Sequence, residues 1–426
     1  MKDIINDIIF TFKDKFLRSK IFFIFAAFFI FRLFAAIPLP IVNAEKLKTF
    51  FEGSDFLGMV SLFSGGGLSK LSIVMLGVMP YITASIIMQL MTFAYPKMKK
   101  MQQEEGEAGA KKIANYSRLL SIPLAAIQAF GFMHLLNSYG VLENLETNTI
   151  MFAVLIATAG SVFIMWVGEL ISEFGIGNGL SLLIFAGIVA SFPGQVQQLW
   201  STFDITALPT YLGVSALFII MIYFIIYVTE ASRPVPVHHA KSARASGKAQ
   251  NIVSSIPIKL NQAGVIPIIF AVSIISFPQM IFGFLQSLGK IESGSSVELF
   301  INSLQSPYIY ATAYFVLVFF FTFFYTAVTF DPKKMSENLQ KGGTFVPGVR
   351  PGEETEDFFA KVTTRVTFIG ATFLGIVAVL PVLVGAITNN QSLAIGGTSI
   401  LIVVSVGIDL IRKISAQVSV RKYLES

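Results

Sequence analysis

Few side chains in this sequence could make or break bonds. The absence of cysteine removes thiol nucleophiles, disulfides, iron–sulfur clusters and thiolate zinc sites together. Of the three histidines, His238 and His239 are neighbours and His134 is remote. Adjacent residues cannot form the i, i+4 helical face that presents two imidazoles to one metal, so no metal site is expected. A phosphate-binding loop is approached over Ala245–Ser246–Gly247–Lys248–Ala249. Ser242, however, stands where its first Gly is needed, and Ala249 where it needs Ser or Thr. Within apolar segments the ionisable groups are Arg32, with Glu169 and Asp409 toward segment ends. A membrane enzyme or ion-coupled transporter needs more than this: a carboxylate pair, a proton relay or a charged row at mid-membrane depth. No catalytic role and no cofactor is expected, and any ATP-driven work must come from a partner. Arg32 either serves function or satisfies itself by snorkelling or by pairing with backbone carbonyls.

What remains is mechanical. Phe63–Ser64–Gly65–Gly66–Gly67–Leu68 offers a short apolar piece hinged on a glycine run, which permits many backbone conformations. Pro80, Pro267 and Pro278 fall inside apolar segments, where a proline frees carbonyls and kinks a helix. Val78 and Ile82, Leu180 and Ile184, and Ile269 and Ser273 each share a helix face, as apolar pairs do on any membrane helix. In Phe345–Val346–Pro347–Gly348–Val349–Arg350–Pro351–Gly352–Glu353 two Pro-Gly turns bracket one arginine and would present it rigidly to an acidic partner.

The elements that must position these residues are written in the hydropathy. The 426 residues are 54% hydrophobic and 13% charged, with mean hydropathy +0.72; soluble domains carry about 25% charged residues. Ten apolar blocks follow one another: Ile21–Ile41, Leu71–Tyr95, Leu119–Leu136, Ile150–Ile171, Leu180–Phe192, Tyr211–Val228, Ala263–Leu285, Tyr308–Phe330, Val366–Ile387 and Leu393–Ile411. Continuous rather than alternating apolarity predicts membrane helices and not a barrel. The fifth block is short before Pro193 and is expected to continue through Gln195–Trp200. Ahead of the first block, Ile4, Ile5, Ile8, Ile9, Phe12 and Phe16 fall at helical spacing, as in a helix lying in the membrane interface or a basic leader. With ten spans, 26 of the 31 Lys and Arg residues fall on the side of both termini. Four (Lys46, Lys48, Lys70 and Lys290) fall on the other, and Arg32 lies within a span. Both termini are therefore expected in the cytoplasm.

The expected fold is thus all-α and membrane-embedded, one membrane domain of two five-helix halves, residues 1–205 and 206–426. Two long cytoplasmic loops, 229–262 and 331–365, belong to the second half. Five being odd, the halves would be inverted relative to one another, as in several channels and transporters.

Taken together and in order, several stretches carry a resemblance to the SecY family of protein-conducting channels. They are Phe31–Arg32, Ile37–Pro38–Leu39–Pro40, Phe63–Ser64–Gly65–Gly66, Met79–Pro80–Tyr81–Ile82, Glu105–Gly106–Glu107, Gly175–Ile176–Gly177–Asn178–Gly179, Ala263–Gly264–Val265–Ile266–Pro267, Phe324–Tyr325–Thr326–Ala327, Arg350–Pro351–Gly352–Glu353 and Gly396–Gly397–Thr398–Ser399. The resemblance implies a clamshell of two halves around an hourglass pore that passes unfolded secretory polypeptides and releases membrane helices sideways into lipid. It implies an apolar ring of Val78, Ile82, Leu180, Ile184, Ile269 and Ile402. The plug implied is Ser64, Gly65, Gly66, Gly67, Leu68, Ser69 and Lys70, and the lateral gate includes Thr83, Gln89, Ser273 and Phe277. Lys241, Arg244, Lys248 and Arg350 would meet the motor ATPase SecA or the ribosome; Ser232–His239 is less arginine-rich than is usual there. The small subunits SecE and SecG, and a bacterial plasma-membrane location, are implied in the same way. The competing reading is a secondary transporter with inverted repeats, which would need a polar substrate site at the midplane.

Overall fold

The computed structural model describes residues 10–39, 64–68, 70–104, 106–138, 147–201, 208–239, 254–287, 306–388 and 391–425. Over these the chain is mostly helical. In chain order the elements are α1 (Lys15–Ala36), α2 (Met79–Ala94), α3 (Pro96–Glu104), α4 (Gly106–Ser138), α5 (Thr147–Phe174), α6 (Gly179–Ser201) and α7 (Leu208–Glu230). There follow β1 (Ser232–His239), β2 (Ser254–Lys259), α8 (Ile266–Ser287), α9 (Pro307–Thr329), α10 (Pro332–Lys341), β3 (Thr344–Phe345), α11 (Glu353–Thr388) and α12 (Gln391–Glu425). Each apolar block overlaps one helix. Among the described residues, five helical stretches are long and apolar enough to cross a bilayer: Lys15–Ala36, Asn148–Phe174, Tyr211–Glu230, Pro307–Lys341 and Glu353–Thr388. Met79–Ala94, Gly179–Gly194 and Ile266–Ile275 are apolar but shorter.

Local chemistry sets the ends of these helices. Asp14 caps α1 by accepting from the Phe16 amide at 2.9 Å, and α1 stops at Ile37 because Pro38 disfavours helical geometry in the residue before it. Pro80 does not kink a span as the sequence suggested. It sits in the first turn of α2, where its missing N–H leaves nothing unpaired, and Pro267 occupies the same place in α8. The residues before α2 form successive turns, with Gly77 in the left-handed region (φ 53°), so the second block is helical only from Met79. In contrast, α6 continues past Pro193 to Ser201, as expected for the continued fifth block. Asp331 caps α10, accepting from the Lys333 and Lys334 amides, and Glu353, Glu354 and Glu356 fill the first turn of α11, facing its positive dipole end.

One large apolar core joins helices from both halves of the chain, from Ile24 and Phe31 on α1 to Ile402 and Val406 on α12. The outer surface is apolar too: Phe22, Phe25 and Phe29 on α1 and Ile219, Ile220 and Tyr223 on α7 are exposed. That inversion suits a lipid solvent and no aqueous one.

A second, smaller core sits between the two long loops. β1 pairs antiparallel with β2 (Val235 opposite Ile256) and, at His238 and His239, with β3 (Phe345 and Thr344), in the order β2-β1-β3. The two loops expected as separate features are therefore stitched into one sheet. Val235, Val237 and Ile258 on the strands and Val346 beyond β3 pack against Phe359, Val362 and Val366 of α11. Pro234 and Pro236 are tolerated because β3 covers only the far end of β1, leaving that stretch as an edge. Arg412 of α12 ties that helix to the end of α7, bonding Glu230 Oε1 at 2.9 Å through Nε and the Thr229 carbonyl at 3.0 Å through Nη2.

Candidate functional site

The apolar pairs picked out in the sequence converge on helix starts. Val78 is the residue before α2, with Ile82 one turn in. Leu180 and Ile184 occupy the first turns of α6. Ile269 and Ser273 follow the start of α8. Ile402 lies within α12. Asn178 fixes the entry to α6: its Oδ1 accepts from the amides of Leu180 (3.1 Å) and Ser181 (3.3 Å). Gly179 lets α6 approach α5, since a Cβ there would collide with the Gly168 carbonyl. Val78, Ile82, Ile184, Ile269 and Ile402 are all buried in the main core, and Leu180 packs against it half-buried.

Beside them lies a cavity of about 230 Å3 between the first and second halves of the chain. Ile82, Leu180, Ile184 and Ile269 form its apolar wall. Tyr81, Ser85, Gln89, Asn178, Ser181 and Tyr325 supply the polar side. The cavity thus has a polar side and a wall of branched aliphatic side chains. A constriction built of such side chains would carry no charge to solvate an ion and would exclude water, yet could yield around a larger apolar object.

The expected gate residues Thr83 and Gln89 belong to α2, and Ser273 and Phe277 to α8; the two helices pack together. Thr83 is buried and bonds back to the Met79 carbonyl at 3.0 Å. Gln89 Nε2 donates to Ser85 Oγ at 3.3 Å, and its buried Oε1 has no partner. Ser273 Oγ donates to the Ile269 carbonyl (2.9 Å) and lies 4.0 Å from Met79 Sδ across the seam. Phe277 is one turn further along α8. α8 also packs on α4. There Gln128 is 3% exposed with its Oε1 unpartnered, a buried amide that the sequence reading passed over because one Gln in an apolar helix has no pattern around it.

The glycine tract is not an open loop. Ser64, Gly65, Gly67 and Leu68 are buried, Gly66 is half-buried, and Lys70 is exposed; Ser69 lies outside the described residues. Ser64 Oγ accepts from the Leu68 amide at 2.9 Å, and the Gly67 carbonyl accepts from the Ser72 amide at 2.8 Å. Leu68, Leu71, Val74 and Met75 enter the same core as Val78, Ile82, Ile184, Ile269 and Ile402. Arg32 reaches this tract: Nη1 donates to the Gly65 carbonyl at 3.0 Å, the carbonyl pairing foreseen as one of its two roles.

The other two charges marked in the apolar blocks are paired as well. Glu169 accepts from Arg118, and Lys413 bridges Asp409 at 2.6 Å. Arg350 stands on the small sheet-bearing unit with its side chain 88% exposed, about 3.9 Å from Glu354, while Thr355 Oγ1 donates to its carbonyl. Lys241, Arg244 and Lys248 lie outside the described residues.

Over residues 72–411 the chain matches the SecY family profile. It is 38% identical over 427 residues to the protein translocase subunit SecY of Mycobacterium tuberculosis (strain H37Rv), covering 96% of both chains. It is 39% identical over 425 residues to that of Aquifex aeolicus (strain VF5), covering 97% of both. Among solved structures, it resembles a SecY channel whose plug domain stabilises the closed state and maintains a membrane seal. That match has TM-score 0.66 and 20% identity over 93% of this chain and 91% of that one. It also resembles Sec61 in the canine ribosome-channel complex, with TM-score 0.64 and 19% identity over the same shares. On sequence match and shared fold together, this chain belongs to the SecY family.

Proposed function

We propose that this chain is the pore subunit of a Sec-type translocase, a passive channel that passes unfolded polypeptides across the membrane and lets apolar helices leave sideways into lipid. The observation that carries this reading is the convergence of Ile82, Leu180, Ile184 and Ile269, from separate helices of both halves, on one cavity wall. The family relationship supports it, since the relatives are translocase subunits. In this reading Val78, Ile82, Leu180, Ile184, Ile269 and Ile402 form the waist. Residues 64–70 plug it, and α2, α4, α8 and α9 flank the lateral gate at Thr83, Gln89, Ser273 and Phe277. Ten spans in two inverted halves, 1–205 and 206–426, place both termini in the bacterial cytoplasm, in keeping with the one-sided lysines and arginines. The sheet-bearing unit then faces the cytoplasm and offers Arg350, with Lys241, Arg244 and Lys248 of the neighbouring loop, to a SecA motor or a ribosome; a ribosome-bound Sec61 shares the fold. SecE and SecG complete the assembly.

The lack of native cysteine makes the test direct. Single cysteines are placed at Ile82, Ile184 and Ile402, with controls on exposed lipid-facing positions such as Phe25 and Ile219. A secretory precursor carrying one cysteine is stalled midway and the sample oxidised. Disulfides at the three waist positions and none at the controls are expected. Their absence at all three, with stalling and thiol reactivity verified, would mean that the waist lies elsewhere or that the pore carries another cargo.

A further inference from the structure

The tract 64–78 is held in two different ways. Its second part, 71–78, is anchored through backbone. The Leu39 amide donates to the Leu71 carbonyl (2.8 Å), the Ile73 amide to the Ile37 carbonyl (3.1 Å), and Ser161 Oγ of α5 to the Gly77 carbonyl (2.8 Å). Gly160 of α5 lies so close that a Cβ would collide with the Ile73 carbonyl. Its first part, 64–68, meets α1 and α6 at Gly65. That residue adopts φ +67°, and a Cβ on it would meet the Phe31 ring at 2.5 Å and Gly187 Cα of α6 at 3.2 Å. Arg32, adjacent to Phe31 on α1, takes its carbonyl. These contacts all belong to the first half of the chain; toward the second half Met79 Sδ and Ser273 Oγ approach at 4.0 Å.

We propose that Arg32 is a latch: 71–78 is a fixed base riding with the first half, 64–68 is the movable flap, and the Arg32–Gly65 bond sets how readily the flap leaves its closed seat. This rests on the plug reading above. The chemistry suits a reversible catch. A guanidinium stays charged at any physiological pH, and its bond to a carbonyl is stronger than a neutral one. Arg32 is itself exposed rather than sealed in the core. Phe31 adds the shape half of the device, because only a glycine can lie under its ring with its carbonyl turned to the next residue on the helix.

The test uses the complete translocase in proteoliposomes and reads resting ion leak without precursor, alongside thermal stability and export. Losing one charge-assisted bond should shift the closed-to-open balance roughly ten- to a hundredfold. Arg32→Met should therefore raise resting leak by about that factor at unchanged thermal midpoint. Arg32→Lys, which keeps a cationic donor, should leak less than Arg32→Met. Deletion of 64–68 serves as the reference for an absent flap. If the deletion leaks and Arg32→Met does not, the latch is overturned and the plug reading stands. If neither leaks, the plug reading falls and takes the latch with it. Should Arg32→Met fail to assemble, Arg32→Gln replaces it with the same expected leak, and a wild-type leak there overturns the latch.

Discussion

At the scale of single residues, the proposed waist would work through what it lacks. Ile82, Ile184, Ile269 and Ile402 are each at most 6% exposed, and no charged side chain lines the cavity that the first three share. Replacing Ile184 or Ile402 by Asn shortens the side chain and puts an amide among apolar neighbours. Burying such a group unpaired costs about 1–3 kcal/mol in mutational data, a cost that recruited water relieves. The expected outcome is a channel that wets at rest: ion flux through reconstituted vesicles rises for each variant and further for the pair, while precursor export persists. Flux at the wild-type level for both variants and the pair would remove these residues from the waist. The sequence pointed to these side chains only by motif position; their i, i+4 spacing occurs on every membrane helix and carried no information.

At the scale of elements, the two long loops behave differently from what their composition implied. Read as sequence they are basic linkers. In the structure they share a three-stranded sheet and a core built on Phe359, which is fully buried. Truncating such a phenylalanine costs about 3–5 kcal/mol, more than a few strand pairs and one helix can absorb. Phe359→Ala should therefore loosen this unit alone. Limited proteolysis should cut newly between 229 and 262 and between 331 and 353, while the membrane helices stay protected. Motor- or ribosome-dependent export should fall with the cleavage. Intact loops in that variant would show that the small core does not hold the unit. The element was invisible in the sequence because its strands are short and proline-bearing, and its third strand joins only through the non-local pairing of His238 with Phe345.

At the scale of the whole molecule, the proposed lateral gate would open by parting α2 from α8. Across that seam Met79 Sδ and Ser273 Oγ approach to 4.0 Å. With both changed to cysteine, a short thiol crosslinker should pin the halves together. Export should stop, resting ion tightness should be kept, and export should return when a cleavable linker is cut. Undiminished export through the pinned form would mean that the seam is not where the channel opens.

The sequence alone determined the solvent and the class. Continuous apolar blocks demand helices in lipid, because unsatisfied backbone groups there cost several kcal/mol each. The missing cysteines and carboxylate pairs turned the reading from catalysis to mechanics. It also foresaw a carbonyl partner for Arg32 as one of two outcomes. Only the tertiary structure decided that this carbonyl belongs to Gly65, that the glycine tract is packed rather than open, and that Pro80 starts a helix instead of bending one. The reason is one of range. Solvent preference and helix periodicity are local properties of a stretch of chain. Which carbonyl meets which guanidinium, by contrast, is set by the packing of α1 against turns more than thirty residues away, and no local pattern encodes that.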